Sequence, residues 1–144
     1  MTKIAESGFQ RLLGVWKTSG QILSGGDTLI LRGRDSYELI LGGNYILHKA
    51  AVYMGDVQSE TFELIGLNGS SKDAEMTYFN SAGERGTMKG NIEGDDFLIK
   101  GDRLRFVGKI NKQNTVIAGK WFQQSEDNGW SEFIDLKLEK DDSL

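Results

Sequence analysis

His48 is the sole histidine of the chain, so it is the one side chain whose ordinary pKa lies near neutrality, and any acid–base chemistry would start there. Directed inward, an imidazole at this position could orient a carboxylate or take up a proton. Directed outward, it is an ordinary sheet histidine. Glu132 and Glu60 are the carboxylates that could oppose each other across an interior. Two-carboxylate glycoside chemistry requires a separation of roughly 5 or 9 Å, which sequence position does not specify. Arg103 and Arg105 share one face of a strand-like run, with Leu104 and Phe106 on the other. Their forked donors suit an anionic head group if they point inward, and they stand in water if Leu104 and Phe106 form the core.

Other chemistries are excluded or unsupported. The chain has no cysteine, which removes disulfides, thiolate catalysis, Cys-ligated zinc and iron–sulfur clusters. Gly25-Gly26 and Gly42-Gly43 lack the Lys and Ser/Thr of a phosphate loop and read as tight turns. Asp95-Asp96 and Asp141-Asp142 lack the alternating oxygen ligands and final glutamate of a calcium loop. The net charge of −4 gives no basic surface for nucleic acid. No run reaches the roughly 18 apolar residues of a spanning helix. Charged residues such as Arg32, Lys49 and Lys120, scattered through the strand-like stretches, disfavour a lipid-facing barrel. The N-terminus lacks the apolar segment of a signal peptide, so cytoplasmic residence is expected.

The elements that must position these residues are mostly strands. Thr2 is a candidate cap for a short helix over residues 2–13, carrying Ala5, Phe9, Leu12 and Leu13 on one side, with Gly14 to end it. Beyond Gly14 the apolar period becomes two. Frequent punctuation, such as Asn68-Gly69, Glu93-Gly94 and Asn128-Gly129, divides the chain into about ten short strands joined largely by hairpins. This predicts an all-β, antiparallel up-and-down barrel over residues 14–140 with a four-residue tail, in one domain of 144 residues. Trp130, Ile134, Leu136 and Leu138 read as one inward face with Glu132 as its polar exception. For the strand of His48, both faces are apolar, Ile46, Ala50, Val52 and Met54 on one and Tyr45, Leu47, Ala51 and Tyr53 on the other, which leaves its direction open.

Gly14-x-Trp16, directly after a short helix and at the start of the first strand, resembles the G-x-W feature of the calycin superfamily of lipocalin-like barrels. Gly42-Gly43-Asn44-Tyr45-Ile46-Leu47, Tyr53-Met54-Gly55, Phe62-Glu63-Leu64-Ile65-Gly66, Tyr78-Phe79-Asn80-Ser81-Ala82-Gly83 and Trp121-Phe122-Gln123-Gln124-Ser125 through Trp130 follow in order. Together they resemble DUF1579, a family of bacterial lipocalin-like domains, over nearly the whole chain. The resemblance implies a β-barrel and brings no catalytic residues. It implies that Gly14 and Trp16 are structural, with the indole supporting one barrel end. Related barrels hold haem through a histidine near the C-terminal strand. Residues 121–144 contain none, so no haem and no other cofactor is expected.

The expected function is noncatalytic binding of a small, partly apolar molecule inside the barrel, with His48, Glu132, Tyr78, Phe106 and Trp130 as candidate contacts and no metal. Two alternatives stand beside it: a small hydrolase using His48 or an internal carboxylate, and a filled barrel that serves as a structural or protein-interaction domain. Aromatic residues can wall a pocket or fill it, and their number does not choose.

Overall fold

Two-residue turns set several of the hairpins. Gly55 (φ +63°) and Asp56 join Met54 to its cross-strand partner Val57, and Gly94 (φ +60°) and Asp95 join Glu93 to Asp96. A positive φ at the first turn position matches the twist of the flanking strands, and glycine reaches it without strain. In the computed structural model, which describes residues 2–24 and 26–142, these hairpins assemble ten strands. They are β1 (Gly14–Ser24), β2 (Asp27–Ile40), β3 (Tyr45–Met54), β4 (Val57–Leu67), β5 (Asp73–Asn80), β6 (Arg85–Glu93), β7 (Asp96–Gly101), β8 (Leu104–Ile110), β9 (Val116–Gln124) and β10 (Trp130–Lys140). Each pairs antiparallel with its neighbour in sequence, and β1 also pairs with β10, so the sheet closes into a barrel without a free edge. Gly25 of the Gly25-Gly26 turn and residues 143–144 of the tail lie outside the described residues.

The odd-numbered strands begin at the end that the N-terminus plugs. The expected helix is realised as two 3₁₀ turns, Ile4–Glu6 and Gly8–Leu12, broken at Ser7. Thr2 does not cap them. Ser7 accepts a hydrogen bond from the Phe9 N–H at 3.2 Å, and the Lys3 N–H donates to Glu6. The shorter turns let Ile4, Phe9 and Leu12 all reach inward, and none of them, nor Trp16, retains any exposure. They pack with Ile46, Ile65, Met76, Ile92 and Phe97 into one apolar core at this end.

Arg11 ties the plug to the barrel. Its guanidinium donates to Asn114 Oδ1 and the Gly94 carbonyl at 2.6 Å, to Asp95 at 3.1 Å, and to the carbonyls of Ile110 and Asn111. Five acceptors around a fork only 16% exposed make this the main polar clamp on the plug. Arg11→Ala should cost about 2 kcal/mol in urea unfolding, with amide exchange accelerating first in residues 4–12. Unchanged exchange there would contradict the clamp.

The other end is looser. Strand alternation turns Val52, Met54, Ser59, Thr61, Tyr78 and Leu104 inward, yet each is only half-buried.

Candidate functional site

Above the apolar plug, four consecutive strands bring polar side chains together inside the barrel. Counting back from the Gly55 turn sets His48 of β3 opposite Glu63 of β4, and the β2–β3 register sets Tyr37 opposite His48. Asp35 lies two residues before Tyr37 on the same face, and Thr18 of β1 completes the group. A close approach of strands accompanies it: a Cβ on Gly33 would lie 2.2 Å from the Ala51 carbonyl oxygen, so only glycine fits beside Asp35.

Both ring nitrogens of His48 are engaged. Nε2 lies 2.6 Å from Asp35 Oδ2 and Nδ1 lies 2.9 Å from Glu63 Oε1. The Thr18 hydroxyl donates to the other Asp35 oxygen. Tyr37 stacks on the imidazole, with ring centroids 4.0 Å apart and planes within 8°. Burial alone would lower the His48 pKa, but the hydrogen bonds to Asp35 and Glu63 and the charge of both carboxylates outweigh it and raise the pKa to about 9. The ring is therefore an imidazolium at neutral pH, donating from both nitrogens. Burial, with the nearby charges of Asp35 and Glu63, pushes the Tyr37 hydroxyl well above its ordinary range, so it stays neutral. The His48 side chain nevertheless keeps 15% exposure.

This arrangement limits the chemistry. A hydrolytic triad sets an imidazole beside the nucleophilic hydroxyl, whereas here the order Thr18, Asp35, His48, Glu63 sets a carboxylate there. Neither nitrogen of His48 is free to accept a proton. The carboxylates meet opposite edges of the ring, so no single point approaches all three groups closely enough for a metal, and no metal-holding group of His, Asp and Glu occurs among the described residues.

The residues singled out in the sequence divide between the two faces of the sheet. His48 points inward. Tyr78 also points inward, half-buried, its ring over Gly86. Phe106 is 3% exposed and meets Phe97 edge-on and Trp121 at a tilt, which makes it part of the packed wall. Glu132 and Trp130 correct the inward face read for the last strand. The register of β10 against β9 shifts between Glu132 and Ile134, and the extra residue, Phe133, turns everything before it to the opposite face. Glu132 is consequently exposed and pairs with Lys120 at 3.0 Å, at the edge of a depression on the rim. Trp130 lies outside beneath the Arg105 guanidinium, 4.2 Å from its ring. Glu60 is likewise exposed, so Glu60 and Glu132 form no interior pair. Gly14 (φ +126°) opens β1, and the Trp16 indole donates to the Leu12 carbonyl at 2.7 Å with the Lys140 ammonium over its ring.

Comparison with solved structures adds the fold's wider context. The crystal structure of Rv2717c from M. tuberculosis matches with a TM-score of 0.75, covering 98% of this chain and 99% of that one at 10% sequence identity. The two chains share the barrel fold. At this identity the likeness extends to the barrel fold alone and carries no residue roles. No protein-family model matches the sequence, and no curated protein matches it.

Asp35, Glu63 and Thr18 escaped the sequence reading as site residues. Glu63 sits between Phe62 and Leu64, which are 52% and 41% exposed, so alternation in that strand favours the wrong face. The signal that does find it is the turn: Gly55-Asp56 fixes the register that pairs Glu63 with His48.

Proposed function

We propose that the barrel is a noncatalytic receptor for one small, partly apolar molecule, held in its open half above the His48 cluster. The observation that carries this reading is the combination of half-buried inward walls, from Val52, Met54, Tyr78 and Leu104, with a polar floor of Asp35, His48 and Glu63 beneath them. An apolar enclosure with a few convergent polar groups is the usual form of a small-molecule site. The engaged nitrogens of His48 favour this reading over a hydrolase, and the half-buried walls favour it over a filled barrel. His48, Tyr78 and the ring of Phe106 are the proposed contacts among the residues first singled out, now with Tyr37 and Glu63. Membership of DUF1579, cytoplasmic residence and independence of nucleic acid belong to the same proposal. The ordered motifs from Gly14-x-Trp16 to Trp130 and the net charge of −4 support it. None of the helices among the described residues is long and apolar enough to cross a bilayer.

The neutral, polarity-sensitive dye Nile red tests the reading. It should bind saturably at about one per chain, as one enclosed site requires. Ser59→Trp puts an indole into the open half from a position that is inward and half-buried. The variant should fold normally and lose the dye. Absence of saturable binding, or dye binding undiminished in a folded Ser59→Trp protein, would reject the lumen as a binding site.

A further inference from the structure

We propose that the lumen selects an apolar molecule carrying a cationic, hydrogen-bond-donating nitrogen over one carrying a carboxylate. This deepens the binding reading and rests on it.

The floor of the lumen carries two carboxylates against one imidazolium, which leaves a formal excess of one negative charge. The chain's lysines and arginines do nothing to offset it there. Arg32, Arg34 and Lys49 are exposed on the outer face, Arg105 lies outside against Trp130, and Arg11 and Lys140 serve the plugged end. A carboxylate entering the lumen meets no cationic partner other than a ring whose two donors are already committed. It would be desolvated beside like charge, which is strongly unfavourable in a partly enclosed site.

The unspent hydrogen-bonding capacity points the same way. Glu63 is 5% exposed and its Oε1 meets His48, while Oε2 has no partner among the described residues. Tyr37 is 7% exposed, stacked on the imidazole, and its hydroxyl has none either. Neither oxygen is wholly enclosed: among the described residues the fully buried side-chain polar atom without a partner is Arg105 Nε. A carboxylate oxygen and a phenol that both keep access on one wall are therefore open to a donor from outside the chain. An ammonium supplies up to three such donors and the missing positive charge together. Tyr78, inward beside Glu63 in the β4–β5 register, adds a ring face that favours a cation further.

The test is displacement of Nile red from the full-length protein by decylamine, decanol and decanoate at pH 7, each below its micellar concentration. The three share one apolar body and differ in the head group. Decylamine should bind at least about tenfold tighter than decanoate, with decanol between them, as a charge complement in a desolvated site implies. Glu63→Gln should narrow the amine-to-acid ratio about fivefold or more. Because the whole chain is negative, Glu132→Gln on the outer surface serves as the control and should leave the ratio unchanged. If Glu63→Gln does not fold, the wild-type order still decides. Decanoate binding as tightly as decylamine, no displacement by any of the three, or a ratio that responds to Glu132→Gln and not to Glu63→Gln would overturn the head-group assignment while leaving dye binding intact. If Nile red itself does not bind, the receptor reading fails first, and the head-group inference with it.

Discussion

Raising the pH from about 6 to about 10 should remove about 3 kcal/mol from the unfolding free energy, because the folded state holds a proton on His48 that the unfolded chain releases much earlier. The folded pKa is about 9 against an ordinary 6.5. A pKa raised on folding contributes stability that is fully present below the unfolded value and is lost as pH rises through the folded one. The loss therefore runs between about pH 6.5 and 9. Its source is the pair of short contacts to Asp35 and Glu63, which become repulsive neighbours once the ring between them is neutral. Lys140, whose pKa burial lowers, works in the opposite sense at the upper end of the range. Ring-proton NMR of the sole histidine separates the two. Its midpoint should fall near 9, and a midpoint near 6.5 would contradict the ion-paired cluster. Urea unfolding of His48→Gln, whose amide does not titrate, should lose most of the pH dependence.

Trp16→Ala should destabilise the barrel by about 3 to 5 kcal/mol, the cost of removing a fully enclosed aromatic side chain. The indole has no exposure, and it touches both parts that it joins. Its N–H satisfies the Leu12 carbonyl at the end of the second 3₁₀ turn, and its ring carries the Lys140 ammonium from the last strand. The substitution leaves a cavity between plug and barrel and takes from the Leu12 carbonyl its indole donor. Trp16→Phe should cost less, about 1 to 3 kcal/mol, since it restores much of the volume and loses the hydrogen bond. Urea unfolding monitored by far-ultraviolet circular dichroism measures both. An unchanged midpoint for Trp16→Ala would refute a structural role.

The strands and their order were legible because they depend on local features. Alternation at Leu104, Phe106, Gly108 and Ile110 specifies both an extended backbone and its buried face. Turns such as Gly55-Asp56 and Gly94-Asp95 specify where the chain reverses. The plug was legible in outline from Phe9, Leu12 and Gly14-x-Trp16, although its 3₁₀ geometry was not. Turns of three and five residues are too short for periodicity to separate a 3₁₀ turn from an α-helix.

The site belongs to the other category. In β3 and β4, outward Tyr45, Phe62 and Leu64 are as apolar as the inward residues, so burial preference cannot orient the strands. Closure of the barrel does so, because one register must satisfy every pair around the ring. The same holds for β10, where one additional residue at Phe133 sends Trp130 and Glu132 outside, a shift that composition does not encode. By itself the amino-acid sequence determined that this protein is an antiparallel barrel with a tryptophan-anchored plug, since alternation and turn chemistry act over a few residues. Only the tertiary structure decided that His48 lies between Asp35 and Glu63 under Tyr37, since those contacts join separate strands whose side chains meet through register and closure.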